Sequence, residues 1–129
     1  MTPANDNQAV AHELDAAALA HLAPAIEPEL LPWLAGEVRD LRAVLVPCVR
    51  DGERVGSVVL RLDGDELVIV AAGGSGGGLC KEFLPVVEAA ARRSGVSRLR
   101  AHTRRPGMRR TLERLGFRET ERVYGKELV

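Results

Sequence analysis

Glu66-Leu67-Val68-Ile69-Val70-Ala71-Ala72-Gly73-Gly74-Ser75-Gly76-Gly77-Gly78-Leu79-Cys80-Lys81-Glu82-Phe83 is the stretch that decides how this chain is read. The apolar, β-branched run from Glu66 to Ala72 predicts a strand. The glycine and serine run from Gly73 to Gly78 predicts a loop. Leu79, Phe83, Val86, Val87 and Ala90 then recur along one stripe, which predicts a helix. Pro85 argues for a helix start no earlier than about Lys81, or for a kink. Arg92-Arg93-Ser94-Gly95 closes the helix, with cations at its negative end and glycine as terminator.

Upstream, two Asp-Gly pairs punctuate the chain. Arg42–Arg50 and Arg54–Leu62 are rich in Val and Leu and flank Asp51-Gly52; Asp63-Gly64 separates the second run from Glu66–Ala72. Three strands joined by Asp-Gly turns predict an antiparallel meander over residues 42–72. Pro47 within the first makes that strand an edge or a bulged one. Further forward, residues 10–41 read as helical, with Leu14, Leu19, Leu22 and Ile26 at roughly helical spacing. Pro24, Pro28 and Pro32 cut this region into short pieces. Trp33 and Leu34 are expected in the core of the second piece. Residues 1–9 read as a flexible tail.

Downstream, Ser97–Thr103 predicts a strand, Leu99 and Ala101 alternating with Arg98, Arg100 and His102. Pro106 opens a last helix with Met108, Leu112 and Leu115 on its apolar face and Gly116 at its end. Glu119–Leu128 predicts a closing strand. Strand, glycine loop, helix and strand in succession imply parallel neighbours and a right-handed crossover. The expected architecture is α/β: a mixed sheet of about five or six strands with helices on both faces, in one domain over residues 10–129.

Bulk properties narrow the function classes. At 129 residues with 46% hydrophobic and 28% charged residues, the chain has an ordinary globular balance. No apolar run is long enough for a bilayer and no leader pattern opens the chain, so a cytoplasmic protein with no membrane partner is expected. Cys48 and Cys80 are far apart and the three histidines, His12, His21 and His102, are scattered, so no metal is expected. Both cysteines read as reduced, small apolar residues, although Cys80 near a helix start could hold a thiolate. Net charge is zero but uneven: residues 1–91 carry 6 basic and 14 acidic side chains, residues 92–129 carry 12 and 4. Such asymmetry points to an anionic ligand for the basic half or to attraction between the halves. Arg104, Arg105, Arg109, Arg110 and Arg114 could grip a phosphate, a nucleic-acid backbone or an acidic protein surface; no aromatic residue interleaves with them, which counts against nucleic acid.

These elements together resemble the GNAT superfamily of N-acyltransferases over roughly residues 40–128. The motifs that carry the resemblance are Glu66–Val70, the glycine run, Ala91-Arg92-Arg93-Ser94-Gly95-Val96, Leu112-Glu113-Arg114-Leu115-Gly116-Phe117-Arg118-Glu119, and Tyr124-Gly125-Lys126-Glu127-Leu128. The chain is most similar to short GNAT-like proteins of prophage and phage-like gene clusters. The resemblance implies acetyl-CoA or CoA as ligand, held in the half spanning 73–129, and direct acetyl transfer to an amine. It implies a cofactor site at Val70, Ala71, Gly74, Ser75, Gly76, Gly77, Gly78 and Leu79. A glycine loop at a helix N-terminus suits a diphosphate, because unsatisfied N–H groups and the helix dipole point at it; the same run also suits a plain flexible connector. Glu66 and His102 are the candidate bases. The pattern departs from the family in two places. Ala71, Gly73 or Ser75, depending on register, stands where the family has Gln or Arg, and Leu112 stands where many members have a tyrosine acid. The alternatives are therefore a non-catalytic binding or structural module of a prophage or phage-like particle, and a basic-patch interaction protein. A homodimer is a further expectation from the family.

Overall fold

The computed structural model describes residues 13–76, 78–103 and 106–128. The tail at 1–9, His12, Gly77, Arg104 and Arg105 lie outside the described residues.

Four strands form the sheet among the described residues: β1 (Val44–Arg50), β2 (Glu53–Asp63), β3 (Glu66–Gly74) and β4 (Arg98–Ala101), in spatial order β1-β2-β3-β4. The first three are the expected antiparallel meander, and β4 adds parallel to β3. The β1–β2 turn falls on Asp51 and Gly52, with φ of 53° and 80°; both residues of a type I′ hairpin turn need that left-handed backbone. Pro47 lies on β1, an edge strand whose pairing is also irregular at Cys48/Val49. A proline cannot donate to a ladder, so the edge is where it is tolerated.

Among the described residues four α-helices flank the sheet: α1 (Ala16–Leu22), α2 (Leu31–Arg39), α3 (Leu79–Arg93) and α4 (Pro106–Arg114). The prolines cut the front region as expected. Pro24 and Pro28 sit at the starts of 3₁₀ turns at Ala23–Ala25 and Pro28–Leu30, and Pro32 lies in the first turn of α2. There a missing N–H costs nothing, since the first turn has no partner for it.

Two cores lie on opposite faces of the sheet. On one face Leu45, Val59 and Ala71 pack against Ala18 and Leu22 of α1 and Leu34 and Val38 of α2. On the other, Cys48, Val58, Leu60 and Leu67 pack against Val87 and Ala91 of α3. The strand alternation of period two delivers one set to each face. Helices on both faces of a mixed sheet are thus observed as expected.

Several local expectations are corrected. β3 runs to Gly74 rather than ending at Ala72, and α3 starts at Leu79, carrying Pro85 inside it. Trp33 is 46% exposed and is not core; Leu34 beside it is fully buried and takes that place. Glu119–Leu128 forms no strand: residues 117–128 have no regular structure, and Val123, Tyr124 and Leu128 are almost fully exposed. A single ribbon with no paired neighbour gains no ladder hydrogen bonds.

Candidate functional site

The β3–β4 ladder is short. It pairs Glu66 with Arg98, Leu67 with Leu99, Val68 with Arg100 and Ile69 with Ala101, and there it stops. At the next residue β3 is bulged: Val59 pairs with Ala71 and Leu60 with Ile69, which leaves Val70 as the extra residue. A bulge bends and twists its strand, turning β3 away from β4 at the point where their pairing ends. Val70 and Ala71 both pack into the core beneath α1 and α2, although they are consecutive.

Beyond the bulge, β3 continues through Ala71 to Gly74, paired among the described residues only with β2. The Ser75 N–H donates to the Val55 carbonyl at 2.9 Å, on the β2 side. Backbone groups alternate sides along a strand, so those of Ala72 and Gly74 face the open edge. The expected cofactor residues Val70, Ala71, Gly74, Ser75, Gly76, Gly78 and Leu79 are therefore contiguous: an open strand edge, a short loop and a helix start.

The glycines divide into two groups. A Cβ on Gly73 would stand 2.0 Å from the His21 carbonyl oxygen, and one on Gly74 2.3 Å from the Val55 carbonyl oxygen. These two glycines let α1 and β2 approach closely. Gly76 and Gly78 instead have left-handed backbone, and nothing lies within 4 Å of a Cβ at Gly78. Gly78 caps α3 without any side-chain hydrogen bond. Gly78 thus brings no side-chain acceptor of its own to the first-turn N–H groups, which an anion site requires to be open. Arg50 reaches over this loop from the end of β1. Its Nη1 lies 3.5 Å from the Cβ position of Gly76, and its Nε donates to Glu82 Oε1 at 2.9 Å.

The two candidate bases lie at opposite ends of the β3–β4 ladder. His102 directly follows the last paired residue of β4, is exposed, and stands at the mouth of the splayed edge. Glu66 opens β3, roughly 26 Å from Gly74 at ~3.3 Å per strand residue. It is held there by Arg100 Nη1 at 2.7 Å and by Arg98 Nε at 3.5 Å. Arg100 also pairs with Asp63 at 2.7 Å and holds its carboxyl below the usual range. The acidic front and basic back of the chain thus attract each other across β3 and β4.

Neither cysteine is activated. Both are free thiols; burial pushes Cys48 up to about 11 and also raises Cys80, whose Sγ lies 3.8 Å from Met108 Sδ of α4. Arg109, Arg110 and Arg114 are exposed on α4. Leu112 is half-buried, and its carbonyl accepts from the Phe117 N–H at 3.0 Å in the Leu-Gly-Phe turn. Among the described residues no cluster of His, Cys, Asp or Glu could hold a metal, and no helix is long and apolar enough to cross a membrane.

One constellation had no signature in the sequence reading. His21 Nδ1 lies 2.9 Å from Ser57 Oγ, Arg54 Nη2 donates to the same oxygen at 3.0 Å, and Arg54 Nη1 pairs with Asp15 at 2.6 Å. Asp15 caps α1 by accepting from the Ala18 N–H at 2.8 Å, and that bond, followed by Arg54, lowers its pKa. Asp15 ahead of an Ala-rich run is a legible cap signal. The meeting of His21 with Ser57 depends on α1 docking over β2 and β3 and has no local signal.

No family model matches the chain, and no curated protein matches it in sequence. Solved structures do match its fold. An IAA acetyltransferase from Bacillus cereus ATCC 14579 superposes with a TM-score of 0.64 at 20% identity, over 81% of this chain and 69% of that one. A ribosomal-protein-alanine N-acetyltransferase from Brucella melitensis biovar Abortus 2308 gives 0.61 at 19% identity, over 83% and 84%. AAC(6′)-Iy in complex with the bisubstrate analogue CoA-S-monomethyl-acetylneamine gives 0.61 at 15% identity, over 84% of each chain. The parallel pair splaying at a bulge, the glycine loop and the helix that follows are thus set in the fold of the GNAT acetyltransferases.

Proposed function

We propose that the chain is a cytoplasmic acetyl-CoA-dependent N-acetyltransferase that acts by direct transfer to an amine. One observation carries the reading: β4 leaves β3 at the Val70 bulge, and the freed edge leads straight to an uncapped helix N-terminus. An extended amide-bearing arm can add to such an edge as an extra strand would, through backbone hydrogen bonds. The diphosphate would lie at Ser75–Leu79, with the Arg50 guanidinium beside Gly76. The residues present therefore fit coenzyme A.

In the reaction, a base takes a proton from the acceptor ammonium, and the neutral nitrogen attacks the thioester carbonyl. The C–S bond then breaks, the acylated nitrogen gives up its second proton to solvent to become the amide, and the thiolate takes up a proton. Backbone N–H groups at the open edge stabilise the oxygen as its charge grows. His102 is the better placed of the two candidate bases, since Glu66 is distant and engaged by two arginines. Leu112 offers no proton, so the thiolate is protonated by solvent.

The test is calorimetric titration with acetyl-CoA and free CoA, followed by a screen of amine acceptors. Micromolar binding is expected; no binding at millimolar ligand would overturn the proposal. Leu112 at the tyrosine position favours a second reading, a binding or structural module, as in a phage-like particle. Tight CoA binding without turnover on any amine would select it.

A further inference from the structure

Glycine gives the loop after β3 more conformational freedom than any other residue would, and fixing that freedom costs entropy. A ligand that has to order the loop as it binds loses affinity by that amount. The two ends of the loop are anchored. The Ser75 N–H donates to the Val55 carbonyl at 2.9 Å, and Leu79 Cδ1 is seated over Gly74 and Gly56, 2.5 and 3.6 Å from where a Cβ on each would stand. Between these ends Gly76 and Gly78 have φ of 83° and 76° and no side chain of their own to hold them there. A side chain from another element has to do it.

Arg50 is that side chain. Its backbone is fixed at the end of β1, paired with Glu53 beside the Asp51-Gly52 turn. Its Nη1 lies 3.5 Å from the Cβ position of Gly76, while its Nε and Nη2 both donate to Glu82 Oε1. Glu82 belongs to the first turn of α3, where its own N–H bonds the Gly78 carbonyl at 3.0 Å. The contacts thus run from β1 past Gly76 to the helix start. The two side chains are 34% and 41% exposed, so the pair adds little to global stability. What it restricts is the loop beside it.

We propose that Arg50 and Glu82 are positioning residues for the diphosphate, their ion pair clasping the glycine loop in its anion-receiving form before a ligand arrives. The charge of Arg50 is balanced by Glu82, so its part is to hold the loop rather than to attract phosphate from a distance. Ala71, Gly73 and Ser75 carry no side chain long enough to do the same. This inference rests on the proposed coenzyme A site.

The test is calorimetry with CoA on the full chain and three single variants. Arg50→Met and Glu82→Met are each expected to weaken CoA about threefold, and the double variant to bind no more weakly than either. Charge alone predicts the opposite sign for Glu82→Met, because removing an anion beside a diphosphate tightens binding. Unchanged or tighter CoA binding by Glu82→Met therefore overturns the inference alone. Arg50→Lys keeps the charge but not the fork that spans Glu82, and is expected to bind as weakly as Arg50→Met; wild-type affinity overturns the inference. Failure of the wild type to bind CoA overturns it together with the proposed function. Without any ligand, ¹⁵N relaxation order parameters at Ser75 and Gly76 are expected to be above about 0.8 in the wild type and below about 0.6 in both methionine variants. Variant loops as rigid as that of the wild type overturn it.

Discussion

At the scale of single residues, two positions make the tightest claims. Gly73 is fixed by the backbone of another element: a methyl group there would stand 2.0 Å from the His21 carbonyl oxygen, which cannot rotate away. Gly73→Ala is expected to cost about 3 kcal/mol, the upper part of the usual overpacking range, read by chemical denaturation. Asp15 accepts from the Ala18 N–H and pairs with Arg54. Asp15→Ala is expected to cost about 1 kcal/mol near neutral pH. Its carboxyl has a folded pKa below the reference value of 3.8, so the charged form is the stabilising one. The advantage of wild type over Asp15→Ala is therefore complete above that value and shrinks as pH falls through the folded pKa. Denaturation midpoints of the pair from pH 7 to pH 2 check the sign. Cys48, pushed up to about 11 by burial, is expected to resist alkylation at neutral pH until the protein unfolds, which a timed thiol-reagent assay reads.

Among the elements, β3 has different work at its two ends. Its first residues are tied to β4 by Glu66, Arg98 and Arg100, and its last pair with no strand on that side among the described residues. Glu66→Gln is expected to lower stability by about 1 kcal/mol, the scale of a half-buried charged hydrogen bond, while leaving CoA affinity unchanged. A loss of CoA binding without loss of stability would instead place Glu66 in the site. The C-terminal ribbon makes the opposite kind of claim. Val123, Tyr124 and Leu128 bury almost nothing. Deleting residues 119–128 is expected to change unfolding free energy by less than about 0.5 kcal/mol, as for other exposed groups. A larger loss in denaturation would mean that the ribbon is paired in solution. The closing strand was misread because alternation marks a segment that can pair and does not supply the neighbour.

For the whole molecule, the prediction is linkage. If coenzyme A occupies the edge and loop, it binds the folded state alone, and at a hundredfold excess over Kd it adds about 2.7 kcal/mol of stability. A thermal shift with CoA that is absent with adenosine would register it, and no shift at saturating CoA would count against the site. The sequence by itself determined the meander, the parallel crossover, the proline-cut helices and the glycine loop, because Asp-Gly turns, prolines and hydrophobic periods act within a few residues. Trp33 and the Val70 bulge were not legible there: exposure depends on what a helix packs against, and a bulge appears only when two strands are set in register. Only the tertiary structure tied Glu66 to Arg98 and Arg100, turned Gly73 into a seat for α1, and brought His21 to Ser57 across 36 residues of chain. Each of those depends on which elements dock on which face, a property of the assembled sheet that no local pattern encodes.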